Sequence, residues 1–413
     1  MAVEARMTTD VAIVGGGVAG SSLGAALARA GLGVMIIERE ARFRDRVRGE
    51  GIHAYGVAEA ERLGLLPVIL AAGGTPLRYW QMYGGRQPAG PPIDMPAESA
   101  TGHGELSIYH PALQDALLAH AADSGATLIR PAKAVDFHAG SAPELTIQAA
   151  DGEHTVRARL VVAADGRNSG ARRWAGATVH SDPADHHLIG GCLLEGGVID
   201  TDQVYLAMGY GQFTFTIPRD DGRVRTYLIV RPELVGATRN ARDVTPFAEA
   251  IDRLLPEGHS VGRRSAGPLA FFPGTNTWAD RIAGDGIVLI GDAAMATDPS
   301  VGHGLALVFR DVRELRDLLL DGDDWRAAIA EFAVRKRRYQ EPVRSYALWL
   351  TQALLSTGPD APRQMERFRK ARQIDPEMCG YGAISHDGPV DGMPTDETMR
   401  RHFFGEDLND SVL

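Results

Sequence analysis

Three short segments hold the residue types that could do chemistry here, and each sets a carboxylate close to glycines. They are DVAIVGGGVAGSSLGAALARAGLGVMIIER at 10–39, LVVAADGRNSGARR at 160–173 and GIVLIGDAAMATDPSVGHGLALVFRDV at 286–312. In the first, Gly15, Gly17 and Gly20 fit G-x-G-x-x-G directly after the apolar run Val11 to Val14. Gly15 permits a tight turn, Gly17 leaves no Cβ between the backbone and a pyrophosphate, and Gly20 lets a helix pack closely on the strand. The helix predicted from Ser21 to Ala30 would aim its N-terminal N–H groups at those phosphates. Gly31 ends it, and a second apolar run, Val34 to Ile37, leads into Glu38. A carboxylate about twenty residues after the glycines is placed to hydrogen-bond a ribose diol. Strand, glycines, helix, second strand and acid together spell a dinucleotide site.

The elements that must position these groups alternate along the chain. Residues 8–72 read as βαβ followed by one helix, GVAEAERLGLLPVILAAG. The stretch 75–108 is strand-like and turn-rich, and PALQDALLAHAADSGATLI restores a helix and a strand. PELTIQAADGEHTVRARLVVAADG reads as a hairpin leading into a buried strand that ends at Asp165-Gly166. D-G also serves as an ordinary turn. Residues 183–275 are mainly β, with a hairpin turn at Asp220-Asp221-Gly222. A last buried strand, Ile287 to Ile290, ends beside Asp292, whose place at a strand's carboxyl end faces the ligand crevice of an open sheet. Residues 324–372 read as helices.

In this order and spacing the three segments resemble the FAD-dependent aromatic hydroxylases, single-component flavoprotein monooxygenases related to p-hydroxybenzoate hydroxylase. The resemblance spans residues 8–345. It implies FAD as cofactor, NADPH or NADH as a transient reductant, and O2 as co-substrate. An aromatic or polyketide-like small molecule would be hydroxylated through a flavin C4a-hydroperoxide. The expected fold is α/β: a Rossmann-like FAD-binding domain carrying the GxGxxG, DG and GD segments, an inserted β-rich substrate domain, and C-terminal helices. Its expected bounds are 8–74, 109–182 and 276–355 for a discontinuous FAD-binding domain, 75–108 and 183–275 for the substrate domain, and 356–413 for a helical or irregular C-terminal segment.

The resemblance also assigns single positions. Glu38, with Arg39 after it, would meet the ribose; Asp165 would lie near the pyrophosphate and the reductant's path; Asp292 would bind the ribityl chain. Arg48, with Arg46 its rival, matches an arginine near the flavin. His110 stands where relatives carry arginine, and a shorter, usually neutral side chain puts a direct phosphate contact in doubt. Val135 matches the strand whose backbone meets the adenine. Pro299, Gly302, Gly304 and Leu305 match the P-x-x-G-x-G stretch that passes under the flavin's pyrimidine edge, beside a helix N-terminus that favours negative charge there. His303, between the last two glycines, is a candidate acid. Tyr205, Phe213, Phe215, Tyr227 and Phe272 are candidates for the substrate pocket, although a strand face carrying Phe213 and Phe215 could equally pack within its own domain.

Composition narrows the alternatives. At 413 residues and a net charge of −10, the chain has core enough for a composite domain and no basic block for a nucleic-acid partner. No apolar run approaches membrane length, and no secretion signal is evident, so a cytoplasmic enzyme acting as monomer or homodimer is expected. Cys192 and Cys379 read as reduced thiols, and no metal cluster is evident. A flavin-dependent halogenase of the tryptophan type would need a lysine near position 80, but none precedes Lys133, although FTFTIP at 213–218 echoes another of its segments. A flavin reductase or dehydrogenase of an isoprenoid or quinone-type substrate shares the same fingerprints. A separate flavin reductase also stays open as the source of electrons.

Overall fold

Val11–Val14, Val34–Ile37 and Leu160–Ala163 are four-residue runs in which every side chain is buried, as expected for parallel strands covered on both faces. In the computed structural model, which describes residues 6–47, 49–182, 186–240, 242–375 and 383–409, they form the centre of a six-stranded sheet. Thr127–Ile129 and Ile287–Leu289 extend it in parallel, and Ala283–Gly284 closes one edge antiparallel. Across the sheet the order is Thr127–Ile129, Val34–Ile37, Val11–Val14, Leu160–Ala163, Ile287–Leu289. The direction of winding therefore reverses between Val11–Val14 and Leu160–Ala163, and the crevice outside the carboxyl ends at such a switch is where open α/β sheets bind ligands. Ala163 pairs with Val14 on one side and Leu289 on the other, so all three glycine segments leave the sheet side by side.

The first helix runs Val18–Arg29, starting three residues before Ser21 because Gly17 is already its N-cap. The single helix expected over GVAEAERLGLLPVILAAG is two, Ala54–Arg62 and Leu66–Ala71, broken at Gly64, with Pro67 in the first turn of the second. Proline is tolerated there because a first-turn N–H has no helical partner.

The two inserted stretches share one nine-stranded sheet. Tyr79–Gly84 from the first lies parallel to Gln203–Gly209 from the second, followed across the sheet by Gln212–Pro218, Arg223–Val230 and Leu188–Glu195. One face packs under the helix Thr245–Asp252, and the other packs on the C-terminal end of the helix Trp325–Leu354.

The described part of the C-terminal segment packs on the rest of the chain: Arg310 donates to the carbonyl of Pro389 at 2.7 Å, the N–H of Ala100 donates to Asp387 at 2.7 Å, and Phe403 is buried against Trp349 and Phe368. Cys192 is a buried free thiol, and Cys379 lies outside the described residues. Among the described residues no helix is long and apolar enough to cross a membrane, and no group of three His, Cys, Asp or Glu could hold a metal.

Candidate functional site

The three glycines of the first segment differ in what surrounds them. Gly15 has φ +104°, and a Cβ there would come within 2.5 Å of the carbonyl oxygen of Ala164, so the first and second segments touch at this point. A Cβ on Gly20 would overlap the carbonyl oxygen of Gly15. At Gly17 the nearest atom to such a Cβ is Gln114 Nε2, at an ordinary contact distance of 3.6 Å, so the backbone there is far less crowded than at Gly15 or Gly20. Glu38 is buried beside this turn and accepts the N–H of Gly16 and the N–H of Glu40, both at 2.7 Å. A carboxylate has about four acceptor positions, which leaves two for the hydroxyls of a ribose. Arg39 is 60% exposed and 3.6 Å from Glu40, to which Arg46 also donates at 2.8 Å. Arg48 lies outside the described residues.

Asp165 caps the short turn Ala171–Arg173, its Oδ2 accepting the N–H groups of Gly170 and Ala171 at 2.9 and 3.2 Å. Its other oxygen is buried without a hydrogen-bond partner. A buried, unsatisfied acceptor at the carboxyl end of a central strand suits a ligand or an ordered water. Arg172, inside that turn, crosses to the third segment. Its Nε and Nη2 donate to the carbonyls of Ala293 and Asp292 at 2.8 and 2.7 Å, and Nη1 donates to Arg167 at 2.9 Å. Asp292 is half-buried in the turn Gly291–Ala293, which is held from behind by Asp311: it accepts the N–H of Gly291 at 2.7 Å and pairs with the buried Lys336.

His110 opens the helix His110–Asp123 beside Glu50 and Gly49. Its main-chain N–H donates to Glu50 at 3.2 Å, and its Nδ1 lies 3.1 Å from the carbonyl of Gly49. Gln114, one turn further along the same helix face, is the side chain over Gly17. Glu50 also meets the fully buried Arg225 at 2.9 Å, and Arg225 reaches Asp45 at 2.7 Å. Burial pushes the Glu50 carboxyl above its ordinary range, with Arg225 acting against it. Val135 falls at a bulge between Ala134 and Asp136, in a strand that opens with the N–H of Ala132 on the carbonyl of Glu38. A bulged residue keeps its backbone groups out of the ladder, as an adenine contact would require.

The Pro299–Leu305 stretch is held on two sides. From one side, that of the residue before the strand Leu188–Glu195, His187 Nε2 lies 2.9 Å from Ser300 Oγ and 3.1 Å from Asp298. Ser300 donates to Asp298 at 2.7 Å, so its proton faces the acid and not the imidazole, and this trio is no nucleophilic triad. Burial alone would raise Asp298, but His187 and Ser300 hold it below its ordinary value. From the other side, His53 Nε2 bonds the carbonyl of Val301 at 2.8 Å, and its Nδ1 bonds Glu105 at 2.5 Å. Burial lowers His53, yet Glu105 and the Val301 carbonyl outweigh it and raise the imidazole above its usual value. His303 is fully buried, with Nδ1 3.0 Å from the hydroxyl of Tyr55; burial, then the charge of His53, push it well below its usual value. Such a histidine is neutral, and this environment does not suit a catalytic acid at neutral pH. Pro299 and Gly302 are exposed, Gly304 is half-buried and Leu305 is buried at the start of the helix Gly304–Leu320.

Phe213, Phe215, Tyr227 and Phe272 share one face of the inserted sheet, with Trp80 and Met82. Tyr205, expected beside them, points the other way: it is fully buried under the helix Thr245–Asp252, and its hydroxyl donates to Asp200 at 2.7 Å. The alternation of the strand explains this, since residues paired across it share a face and Tyr205 pairs with Thr216, not with Phe215. Phe213 is 1% exposed and packs on Leu354 and Leu355, so its ring is core. Trp80 was missed by sequence reading. Its ring lies 5.6 Å from Phe215 and 5.8 Å from His53, and its Nε1 is buried without a partner.

These residues fit FAD: an uncrowded backbone at Gly17, a buried acid with spare acceptor positions, an unsatisfied acceptor at Asp165 and a second acid in the adjoining turn. The FAD binding domain family matches residues 8–321. The chain is similar to a rifampicin monooxygenase of Streptomyces venezuelae, 28% identical over 86% of this chain and 74% of that one. It is similar to a digeranylgeranylglycerophospholipid reductase of Methanopyrus kandleri, 28% identical over 72% of this chain and 74% of that one. Its fold is that of p-nitrophenol 4-monooxygenase from Pseudomonas putida, with a TM-score of 0.74, 19% identity, and 96% and 97% of the two chains covered. With a family match across most of its length and a site that fits the cofactor, the chain belongs to the FAD binding domain family, the flavoprotein family of the aromatic hydroxylases.

Proposed function

We propose that the chain is an FAD-dependent monooxygenase that takes electrons from NADPH or NADH and places one atom of O2 on an aromatic or polyketide-like small molecule. One observation carries the reading. The aromatic face of the inserted sheet meets, through His53, the segment assigned to the flavin ring: Trp80 is 5.8 Å from His53, which holds the carbonyl of Val301. When bound, FAD supplies hydride acceptance and activation of O2. The chain's own tasks are then to hold the cofactor with Glu38, Asp165, Asp292 and the backbone at Gly17, to position a substrate against Trp80, Phe215 and Tyr227, and to exclude water. The likeness to a rifampicin monooxygenase supports this reading.

A second reading, a flavin-dependent reductase of an isoprenoid or quinone-type compound, draws on the likeness to digeranylgeranylglycerophospholipid reductase and on the apolar character of the same face. NADH and NADPH oxidation, followed with oxygen uptake and peroxide release across a panel of phenolic, polyketide-like and prenylated compounds, separates the two. Flavin reduction accelerated by one compound, with oxygen consumed and little peroxide, supports the monooxygenase. Turnover that persists without oxygen supports the reductase.

A further inference from the structure

We propose that His53 and Glu105 form a positioning pair for the flavin, clamping the Pro299–Leu305 segment through the carbonyl of Val301 and so fixing the N–H groups that open the helix Gly304–Leu320. The inference rests on FAD binding by this chain and not on the reaction proposed above.

The geometry is specific. His53 is the N-cap residue of the helix Ala54–Arg62, Glu105 lies in the strand Glu105–Ser107, and Val301 lies in the flavin segment, so three separate parts of the chain meet at one imidazole. Both ring nitrogens face oxygens: Glu105 at 2.5 Å and Val301 at 2.8 Å. A carbonyl can only accept, so Nε2 carries a proton, and one further proton lies between Nδ1 and the carboxylate. The approach is also close. Gly302 has φ +72°, which a side chain there would strain, and a Cβ at 302 would come within 2.9 Å of His53 Nε2.

An apolar pair would fill the same space without desolvating two ionisable groups, a cost that buried ion pairs seldom recover in stability. What the polar pair adds is direction: the Val301 carbonyl is fixed, and through Gly302 and His303 it sets where the N-terminus of a seventeen-residue helix points. That end of a helix favours negative charge, and it does so only within its first turn. His303 does not compete for the proton. Its ring is 4.6 Å from His53, its Nδ1 is engaged by Tyr55, and Tyr55 keeps its own proton because burial raises it.

The experiment uses holoenzyme of Glu105→Gln, His53→Gln and His53→Phe, with FAD content, thermal stability and two-electron midpoint potential measured by dye-coupled reduction. The expected result is FAD retained in Glu105→Gln with a lower potential. The expected loss is about tenfold in the reduction equilibrium, or roughly 30 mV for a two-electron couple. His53→Gln, which can keep one N–H on Val301, should fall less than His53→Phe. A potential unchanged in Glu105→Gln, or a loss of stability in every variant with no shift in potential, would overturn the proposal. Should the parent protein reduce its flavin yet consume no oxygen, the monooxygenase reading fails while this comparison of potentials stands.

Discussion

Arg172 donates from Nη2 to the main-chain carbonyl of Asp292 at 2.7 Å, joining the D-G segment to the G-D segment across 120 residues of sequence. With Nε on Ala293 and Nη1 on Arg167, one buried guanidinium satisfies three carbonyls at the mouth of the sheet. The turn bearing Asp292 is thus positioned by the turn bearing Asp165, and any ligand that touches both meets a pre-formed surface.

Arg172→Met should therefore cost more than a surface arginine. Three carbonyls would lose their donors, and we expect destabilisation of about 3 kcal/mol together with weakened FAD binding. Chemical denaturation of apo- and holoprotein checks this. Stability within 0.5 kcal/mol, roughly the range of ordinary surface substitutions, would show that the guanidinium is dispensable.

Gly17 and Gly20 should respond in opposite ways to a single methyl group. Gly17→Ala meets only Gln114 Nε2, at an ordinary contact distance of 3.6 Å, so its fold should remain intact while FAD affinity falls, because the methyl occupies the approach of the pyrophosphate. Gly20→Ala would strike the carbonyl of Gly15, and the expected outcome is loss of folded protein. Circular dichroism and the flavin-to-protein ratio of each variant distinguish these outcomes.

Asp292→Ala and Glu38→Ala each remove a carboxylate assigned to the cofactor. Hydrogen bonds to charged groups contribute about 1.5–3 kcal/mol, which corresponds to roughly 10- to 150-fold in FAD affinity. Glu38→Ala should also loosen the glycine turn, since Gly16 loses its acceptor. Fluorescence titration of apoprotein with FAD reads both, and an unaltered affinity in either would remove that residue from the site.

The His53–Glu105 pair gives stability a pH signature. His53 titrates above its ordinary value of about 6.5 in the folded protein. Its contribution is complete below the unfolded value and is lost as pH rises through the higher folded one. The stability difference between the parent and His53→Gln should therefore be widest in mild acid and shrink toward alkaline pH. Denaturation midpoints across that window test it, and a gap that grows with pH would contradict the assignment.

Much of the architecture was legible because it is local. The strand, turn, helix and acid of the first segment are contiguous, and the apolar runs ending at Asp165 and Asp292 carry their burial in composition. What sequence could not convey is what lies across space. The family resemblance points to His110, but Gln114, one turn on, is the side chain within 3.6 Å of a Cβ built on Gly17. Tyr205 and Phe213 look alike as aromatic residues of neighbouring strands, yet their registers put them on opposite faces of the sheet. Arg172 was in plain view in DGRNSGARR, and only its three carbonyl partners reveal its role. His53 and Glu105 stand 52 residues apart and carry no motif at all.

Turnover under isotopically labelled O2, with the compound that accelerates flavin reduction, tests the central reading most directly. A monooxygenase should place one labelled oxygen atom in the product, with NAD(P)H consumed in equal amount. A product that carries no label, or one gained as hydrogen in the absence of O2, would contradict it and leave the chain a flavin-dependent reductase.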